Sequence, residues 1–358
     1  MFDLAVIGGG PAGAAAAWTA ARRGLRVVLL ERGEFPRDKV CGEYVSAEAL
    51  PLLGEMVPEL AAAAPAIRRA VFVAPGGARG EFALPEAACG ISRLALDAAL
   101  WEAAARAGVD ARARSAVAAA AAAADRYRLT IAGAGAVEAR RLIVAAGRWW
   151  RIPGLGKEQM AAPSRWVGVK ARFRNLELDG ALEMHLFRGG YCGLAPVERG
   201  WSNACCLVRR ESAGELGASR DFAGWIGAIC SGLGQRLAGA EQVTATVTTA
   251  PVTVGPRAAL MEGALLAGDA CGFLDPFTGD GMARAMLSGQ LAAERVERPE
   301  EYARSLVRAA GPAFRASGWL RPAVAAPAVL QALLVRTLAR PIAGPRLVRA
   351  TRWRTESL

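Results

Sequence analysis

The chain has 358 residues, with 44 Lys or Arg against 33 Asp or Glu and a formal net charge of +11. Its 53% hydrophobic and 22% charged content describes a globular protein with room for two domains, neither disordered nor fibrous. Seven cysteines with no C-x-x-C pair exclude a disulfide framework, a zinc site and an iron–sulfur cluster, and the single histidine, His185, excludes metal sites and mechanisms that need two.

Asp3, an acid, precedes the first apolar stretch, where a secretory leader would carry basic residues, so the expectation is a cytoplasmic chain. The longest apolar stretch, Pro322 to Val335, is too short to span a bilayer and contains Pro322 and Pro327. Residues 3–7 read as a buried strand that runs directly into Gly8-Gly9-Gly10-Pro11-Ala12-Gly13. A helix follows from about Gly13 to Arg23, stopped by Gly24. Arg26 to Leu30 is a second strand and ends in Glu31, which completes a βαβ unit. Residues 32–43 form a loop rich in Gly, Pro and charge.

Leu94 to Ala107 has helical periodicity with Gly108 as its stop. Residues 113–145 contain the alanine run Ala118–Ala124, whose propensity favours helix. The alternation of Arg126–Ile131 and the turn at Gly133 and Gly135 point instead to a small β-meander. Leu142 to Ala146 is a buried strand running into Gly147. From Trp149 onward, strands are expected at 166–173, 181–187, 201–208 and 243–254, with one helix near 219–230, which makes a second, mostly antiparallel sheet domain. Leu265–Asp269 is another strand with a glycine end, and a helix follows from about Gly281 to Val296. Residues 300–358 are helical, basic and interrupted by prolines.

Gly8-x-Gly10-x-x-Gly13 gains its meaning from this context. Gly8 allows the tight turn, Gly10 lets the backbone approach a pyrophosphate, and Gly13 lets helix and strand pack closely. The helix N-terminus offers N–H groups and a partial positive charge to an anion. Glu31, 18 residues beyond Gly13, is placed to accept hydrogen bonds from the ribose hydroxyls of an adenosine.

The second half supplies a second fingerprint. Gly268-Asp269-Ala270-Cys271-Gly272 through Pro276-Phe277-Thr278-Gly279-Asp280-Gly281-Met282 resembles the carboxyl-terminal FAD motif of the aromatic-ring hydroxylase superfamily, which includes the geranylgeranyl reductases and FixC-like flavoproteins. Ser92-Arg93-Leu94 with Asp97, Arg37 to Glu43, and Gly190-Tyr191-Cys192-Gly193-Leu194-Ala195-Pro196 with Trp201-Ser202-Asn203 resemble further segments of the geranylgeranyl reductase and FixC branch. Trp149-Trp150-Arg151-Ile152-Pro153 is a faint echo of a flavin-halogenase motif in a different place.

The resemblance implies an α/β glutathione-reductase-like FAD-binding Rossmann domain (1–150 and 255–300), an inserted antiparallel sheet domain for substrate (151–254) and a basic helical tail (301–358). It implies non-covalent FAD held by Gly8, Gly10, Pro11, Ala12, Gly13, Glu31, Arg32, Arg37, Cys41, Gly42, Arg93, Val117, Gly147, Gly268, Asp269, Pro276, Gly279, Asp280, Gly281 and Met282, and no metal. NAD(P)H enters as a transient reductant, because no second Gly-x-Gly-x-x-Gly exists to hold it. Cys41, Tyr191 and His185 are the candidate catalytic residues, with Glu183 beside His185.

The expected activity is a FAD-dependent oxidoreductase, foremost a monooxygenase or oxidative tailoring enzyme for a hydrophobic polyketide, terpenoid or aromatic molecule. A prenyl or lipid C=C reductase is the same-fold alternative, and a FixC-like electron relay with a donor protein is the alternative of another class. Gly193 and Ala195 stand where prenyl reductases carry Trp and Phe, which weighs toward the oxidative reading. Ten arginines against one acid, Glu356, lie between Tyr302 and Leu358. That charge suggests peripheral contact with an anionic membrane and predicts that removing the tail leaves FAD bound. No nucleic-acid motif accompanies it.

Overall fold

The computed structural model describes residues 1–123, 125–148, 150–156, 164–213, 221–324 and 326–354. The chain opens with β1 (Phe2–Ile7), α1 (Pro11–Arg22) and β2 (Val27–Leu30), and the strands pair in parallel from Leu4↔Val27 to Ile7↔Leu30. Pro11 at the first helical turn fits the start of α1, since its missing N–H would have had no intrahelical partner. The chain then leaves this sheet. β3 (Tyr44–Val45), β4 (Ala66–Val73) and β5 (Arg79–Gly90) build part of a second sheet, while the short helices α2 (Leu50–Met56) and α3 (Pro58–Ala63) lie between them in sequence and α2 buries Leu52, Leu53 and Met56 in the core of the first. It returns with α4 (Arg93–Arg106), β6 (Asp110–Arg112), β7 (Val117–Ala122), β8 (Tyr127–Ile131) and β9 (Gly135–Val144). The alanine run therefore crosses a meander, as expected: Ala119 to Ala122 pair with β8, whose Tyr127, Leu129 and Ile131 supply the apolar face.

The remaining strands of the second sheet are β10 (Trp166–Arg174), β11 (Ala181–Phe187), β12 (Gly190–Val197) and β13 (Trp201–Arg209). After α5 (Arg210–Ala213), α6 (Phe222–Ile229) and α7 (Ser231–Leu237), the edge is closed by β14 (Glu241–Gln242) and β15 (Val247–Thr249). The expected strand over 243–254 is thus reduced to three residues, and Pro251 has no N–H to continue a ladder. β16 (Gly255–Pro256), β17 (Leu260–Met261), β18 (Ala264–Leu266) and β19 (Gly272–Phe273) lead into α8 (Gly281–Glu294), and β18 joins β9 in parallel. The order of the first sheet is β17-β18-β9-β1-β2-β6, and that of the second is β14-β10-β13-β12-β11-β4-β5-β3.

Two boundaries differ from expectation. β3, β4 and β5 sit in the second sheet, where β4 pairs in parallel with β11, although they lie inside the segment expected for the FAD-binding domain. A register shift between Ile67 and Arg69 breaks the two-residue alternation that would have exposed β4 to a sequence reading. The tail, α9 (Pro299–Val324), α10 (Ala328–Leu338) and α11 (Ala343–Ala350), is not an appendage. Tyr302, Leu306, Ala309 and Ala310 are buried in the core of the first sheet, and the Tyr302 hydroxyl donates to the Leu266 carbonyl at 2.6 Å. Val335 and Leu338 then pack on the second sheet with Phe72 and Phe82.

Candidate functional site

Both fingerprints end a strand of the first sheet and open a helix, and the fold brings them into contact. A Cβ added to Gly268 would lie 2.8 Å from the Cβ of Ala12, and one on Gly289 of α8 would lie 2.0 Å from the Ala12 carbonyl. Gly8 adopts φ 102° and approaches the Ala145 carbonyl so closely that a Cβ would stand 2.4 Å away, which sets Gly147 beside the first fingerprint. The N-caps Gly10 and Asp280 make no side-chain cap bond, so the first-turn amides of α1 and α8 have no capping side chain.

A different set of glycines faces space. A Cβ on Gly42, Gly147 or Gly281 meets no atom within 4 Å, and one on Gly10 meets only the Arg93 guanidinium, at 3.9 Å. Two uncapped helix N-termini and backbone without side chains form a cradle for a long anionic ligand, and the residues present fit FAD.

Glu31 is buried. It accepts from the Gly9 amide (2.7 Å), the Gly33 amide (2.9 Å) and both terminal nitrogens of Arg37. Burial alone would raise its pKa, but the Arg37 guanidinium and these amides outweigh it and hold the carboxyl below its ordinary value. Arg32 is exposed nearby, and Val117 begins β7 two residues after Ser115, whose amide bonds to the Glu31 carbonyl. Arg93 forms a two-pronged ion pair with the fully buried Asp97, at 2.6 and 2.7 Å. The charges of Arg93 and Arg148 are both felt at Cys41 and Asp269. Asp269 also pairs with Arg284 at 3.2 Å, while Pro276 opens the turn before α8 and Met282 is buried in the core.

Strand register decides which side chains of the second sheet face the first. Lys170↔Cys205↔Gly193↔Met184 and Arg172↔Asn203↔Ala195 are rows across β10, β13, β12 and β11 on one face. Asn203 donates to the Cys41 carbonyl at 3.0 Å, so this face meets the Arg37–Glu43 loop. Glu43, at φ 58° and wholly buried, accepts from the Arg93 amide (2.7 Å), Lys170 (2.6 Å) and Arg172 (2.9 and 2.6 Å). Asp38 takes a further bond from each cation, at 2.6 and 2.8 Å. This cluster of two carboxylates and two cations pins Cys41 and Gly42 between the two sheets. Burial pushes the Cys41 thiol up, against the pull of Arg93, and does the same to Cys205, so both are held as thiols.

Tyr191 is on the same face. Its hydroxyl donates to Asp275 at 3.2 Å, and its ring meets Phe277 edge-on. Burial, reinforced by Asp275, keeps the phenol protonated. It lines a small cavity with Trp166, Leu207, Phe277, Arg321 and Val324.

His185 and Glu183 alternate with Leu182, Met184 and Leu186 and occupy the opposite face. There His185 Nε2 lies 3.0 Å from Glu183, and Arg236 of α7 holds the same carboxylate. The structure therefore does not bring His185 to the site. A two-residue alternation names the residues of a face but not the face's partner. Lys170, Arg172, Glu43, Arg148, Arg284 and Arg352 surround the site without having been singled out. Lys170 and Arg172 carried a signal, being two charges at i and i+2 inside the otherwise apolar run 167–173. Of the halogenase-like stretch, Trp149 lies outside the described residues, and Ile152 is buried in the core of the first sheet.

A family described as FAD dependent oxidoreductase matches residues 3–67. Digeranylgeranylglycerophospholipid reductase 2 of Methanopyrus kandleri is 29% identical over 86% of this chain and 81% of its own length. The digeranylgeranylglycerophospholipid reductase of Methanothrix thermoacetophila is 27% identical over 82% of this chain and 77% of its own. Among solved structures, the flavin-dependent brominase Bmp2 aligns with a TM-score of 0.82 at 18% identity, covering 98% of this chain and 93% of that one. A geranylgeranyl bacteriochlorophyll reductase-like protein from Thermoplasma acidophilum aligns with a TM-score of 0.78 at 21% identity, covering 98% and 95%. At those identities the structures speak to fold alone. These matches bear out the resemblance carried by the two fingerprints and the expected α/β fold with its helical C-terminal region.

Proposed function

We propose that this chain, a FAD-dependent oxidoreductase, reduces carbon–carbon double bonds in a hydrophobic, isoprenoid-type lipid. The carrying observation is the pairing of an apolar wall with protonated acids on the face that meets the flavin cradle. Bound FAD would supply hydride chemistry, with NAD(P)H as the two-electron donor that is oxidised. Phe72, Leu186, Leu207, Phe277 and Val324 exclude water from the reacting end. The Glu43 cluster and Asn203 orient the Cys41 loop. The Cys41 thiol, kept neutral by burial, would hold the proton that the second carbon of the double bond needs, with solvent as the source that restores it. The Tyr191 hydroxyl, fixed on Asp275, orients substrate deeper in the wall. The names of the relatives that match over most of the chain support this reading.

Oxygen-dependent attack on the same kind of molecule is the second reading. Gly193 and Ala195 favour it, because they leave the cradle-facing rows of β12 small. Among the described residues no helix is long and apolar enough to cross a membrane. Of the seven large hydrophobics exposed among the described residues, six nevertheless lie in the tail. Helical spacing puts Val307 and Trp319 on one face of α9 with Arg304, Arg308 and Arg315, and Val329 and Leu333 on one face of α10 with Arg336. We assign this surface to peripheral contact with anionic lipid, from which the substrate is drawn.

The test is anaerobic. Flavin-loaded protein is mixed with NAD(P)H and a polyprenyl lipid presented in anionic vesicles. Flavin reoxidation with a saturated product is expected. An oxygenated product that forms only after air is admitted overturns the reductase reading in favour of the second.

A further inference from the structure

The last described turn of the chain comes back to the flavin cradle. Beyond α11, Thr351, Arg352 and Trp353 are buried, and Trp353 joins the core of the first sheet. The Arg352 guanidinium donates through Nη1 to the Thr278 carbonyl at 2.7 Å and through Nη2 to the Tyr44 hydroxyl at 3.3 Å. It lies over the Tyr44 ring at 5.6 Å, and its Nε is 3.9 Å from Glu48. Tyr44 is the surface on which the turn before α8 rests: Gly279, at φ 69°, lies so close that a Cβ would stand 3.2 Å from that ring, tighter than ordinary contact. Asp280 follows, with no exposure. Its Oδ1 accepts from Ser46 at 2.9 Å, and its Oδ2 has no hydrogen-bond partner.

We propose that Arg352 is a positioning residue of the flavin site, and that the C-terminal segment is a clasp holding the Thr278–Gly281 turn in the shape that receives the isoalloxazine end of the cofactor. The inference rests on the FAD reading and is independent of which substrate is reduced. A bond to the Thr278 carbonyl fixes the Thr278–Gly279 peptide plane, and with it the direction of the amides that open α8. A buried guanidinium also adds positive charge on the side where the reduced, anionic form of a flavin gains most from it. The groups that face Asp280 are Ser46, Tyr44, Glu48, Arg284 and Arg352. Burial, with Glu48, pushes its carboxyl up to about 7 against the pull of the two arginines, so loss of Arg352 moves it higher.

The experiment uses the full chain reconstituted with FAD. Arg352→Ala is compared with Arg352→Lys, with Tyr44→Phe, and with Arg349→Ala as an exposed control on the same segment. Flavin affinity is read by fluorescence, and the midpoint potential by anaerobic titration from pH 6 to 9. Arg352→Ala is expected to weaken FAD binding about tenfold. Reduced FAD should lose about tenfold more affinity than oxidised FAD, which lowers the midpoint by about 30 mV. The break in the pH profile assigned to Asp280 moves upward and is absent in Asp280→Asn. Arg352→Lys restores most of each effect, and Arg349→Ala changes none. Wild-type affinity, midpoint and pH break in Arg352→Ala overturn the proposal. Should that variant fail to fold, a wild-type midpoint and pH break in Arg352→Gln, which removes the charge but keeps a donor, do the same. A wild type that binds FAD but saturates no lipid refutes the reductase reading and leaves these readouts standing.

Discussion

Glu43→Gln removes one charge from the most enclosed ionic cluster described above and leaves its shape intact. Four hydrogen bonds converge on the Glu43 carboxylate from Arg93, Lys170 and Arg172, and both cations are 1% exposed. An amide keeps one accepting oxygen and turns an NH₂ toward a donor. Asp38, partly exposed, is then left to balance two buried cations alone. Removing one partner of a buried ion pair costs about 3–5 kcal/mol, most of it from the charge left behind. Over 358 residues, an unfolding entropy of about 2.1 cal/mol/K per residue turns that into a fall in melting temperature of about 4–7 °C, provided both sheets melt together. Calorimetry at neutral pH reads the shift, and coincidence of the flavin-fluorescence and circular-dichroism transitions checks the single melt. Glu43→Gln/Lys170→Met, which removes a charge of each sign, should recover at least half of the loss. A single variant that melts within about 1 °C of wild type refutes the argument that the cluster holds the Cys41 loop through charge.

Two glycines of the first fingerprint should fail differently. Gly10→Val projects into the space beside Arg93 and is expected to give folded, colourless protein, whereas Gly13→Val meets the Gly8 carbonyl at 1.7 Å and should not fold. Absorbance at the flavin bands and circular dichroism separate the outcomes, and normal FAD content in Gly10→Val would count against the assignment. Glu183 is held at about 2 rather than 4.5: burial would raise it, but His185 and Arg236 prevail. A depressed carboxyl pKa stabilises the fold above about pH 4.5, and that stabilisation fades as pH falls toward 2. Glu183→Gln should therefore cost about 3 kcal/mol at neutral pH and almost nothing near pH 2, a convergence that urea titrations at several pH values would show. His185→Ala should leave flavin reduction and turnover unchanged, since His185 faces α7; a turnover defect in well-folded His185→Ala would reopen its catalytic role.

Much of the flavin side was readable because its chemistry is local. A strand, three glycines and a helix occupy residues 3–22 in sequence and in space alike, and Glu31 is reached by simple counting. The second fingerprint is likewise one continuous stretch. What escaped was assembled from distant parts. Residues 66–90 were hidden by a register shift and by a parallel pairing with a strand more than a hundred residues later. Lys170 and Arg172 have meaning only once Asp38 and Glu43 are laid across them. The tail's arginines looked alike in a charge count, yet Arg352 is buried among backbone carbonyl and phenol oxygens while Arg336 and Arg340 are exposed. Excess charge in a segment does not say which members of it face inward.

The early excursion of β3, β4 and β5 into the second sheet has a mechanical consequence. The chain passes from the first sheet to the second and back before residue 100, repeats the passage between 144 and 264, and crosses again through the tail helices to Trp353. Each passage is a covalent strap across the seam in which Cys41, Asn203 and the flavin cradle lie. Two bodies stitched so many times cannot swing apart like a hinged pair of jaws. Whatever occupies the seam has to enter it from one end, and a cut in any single strap would leave both halves attached.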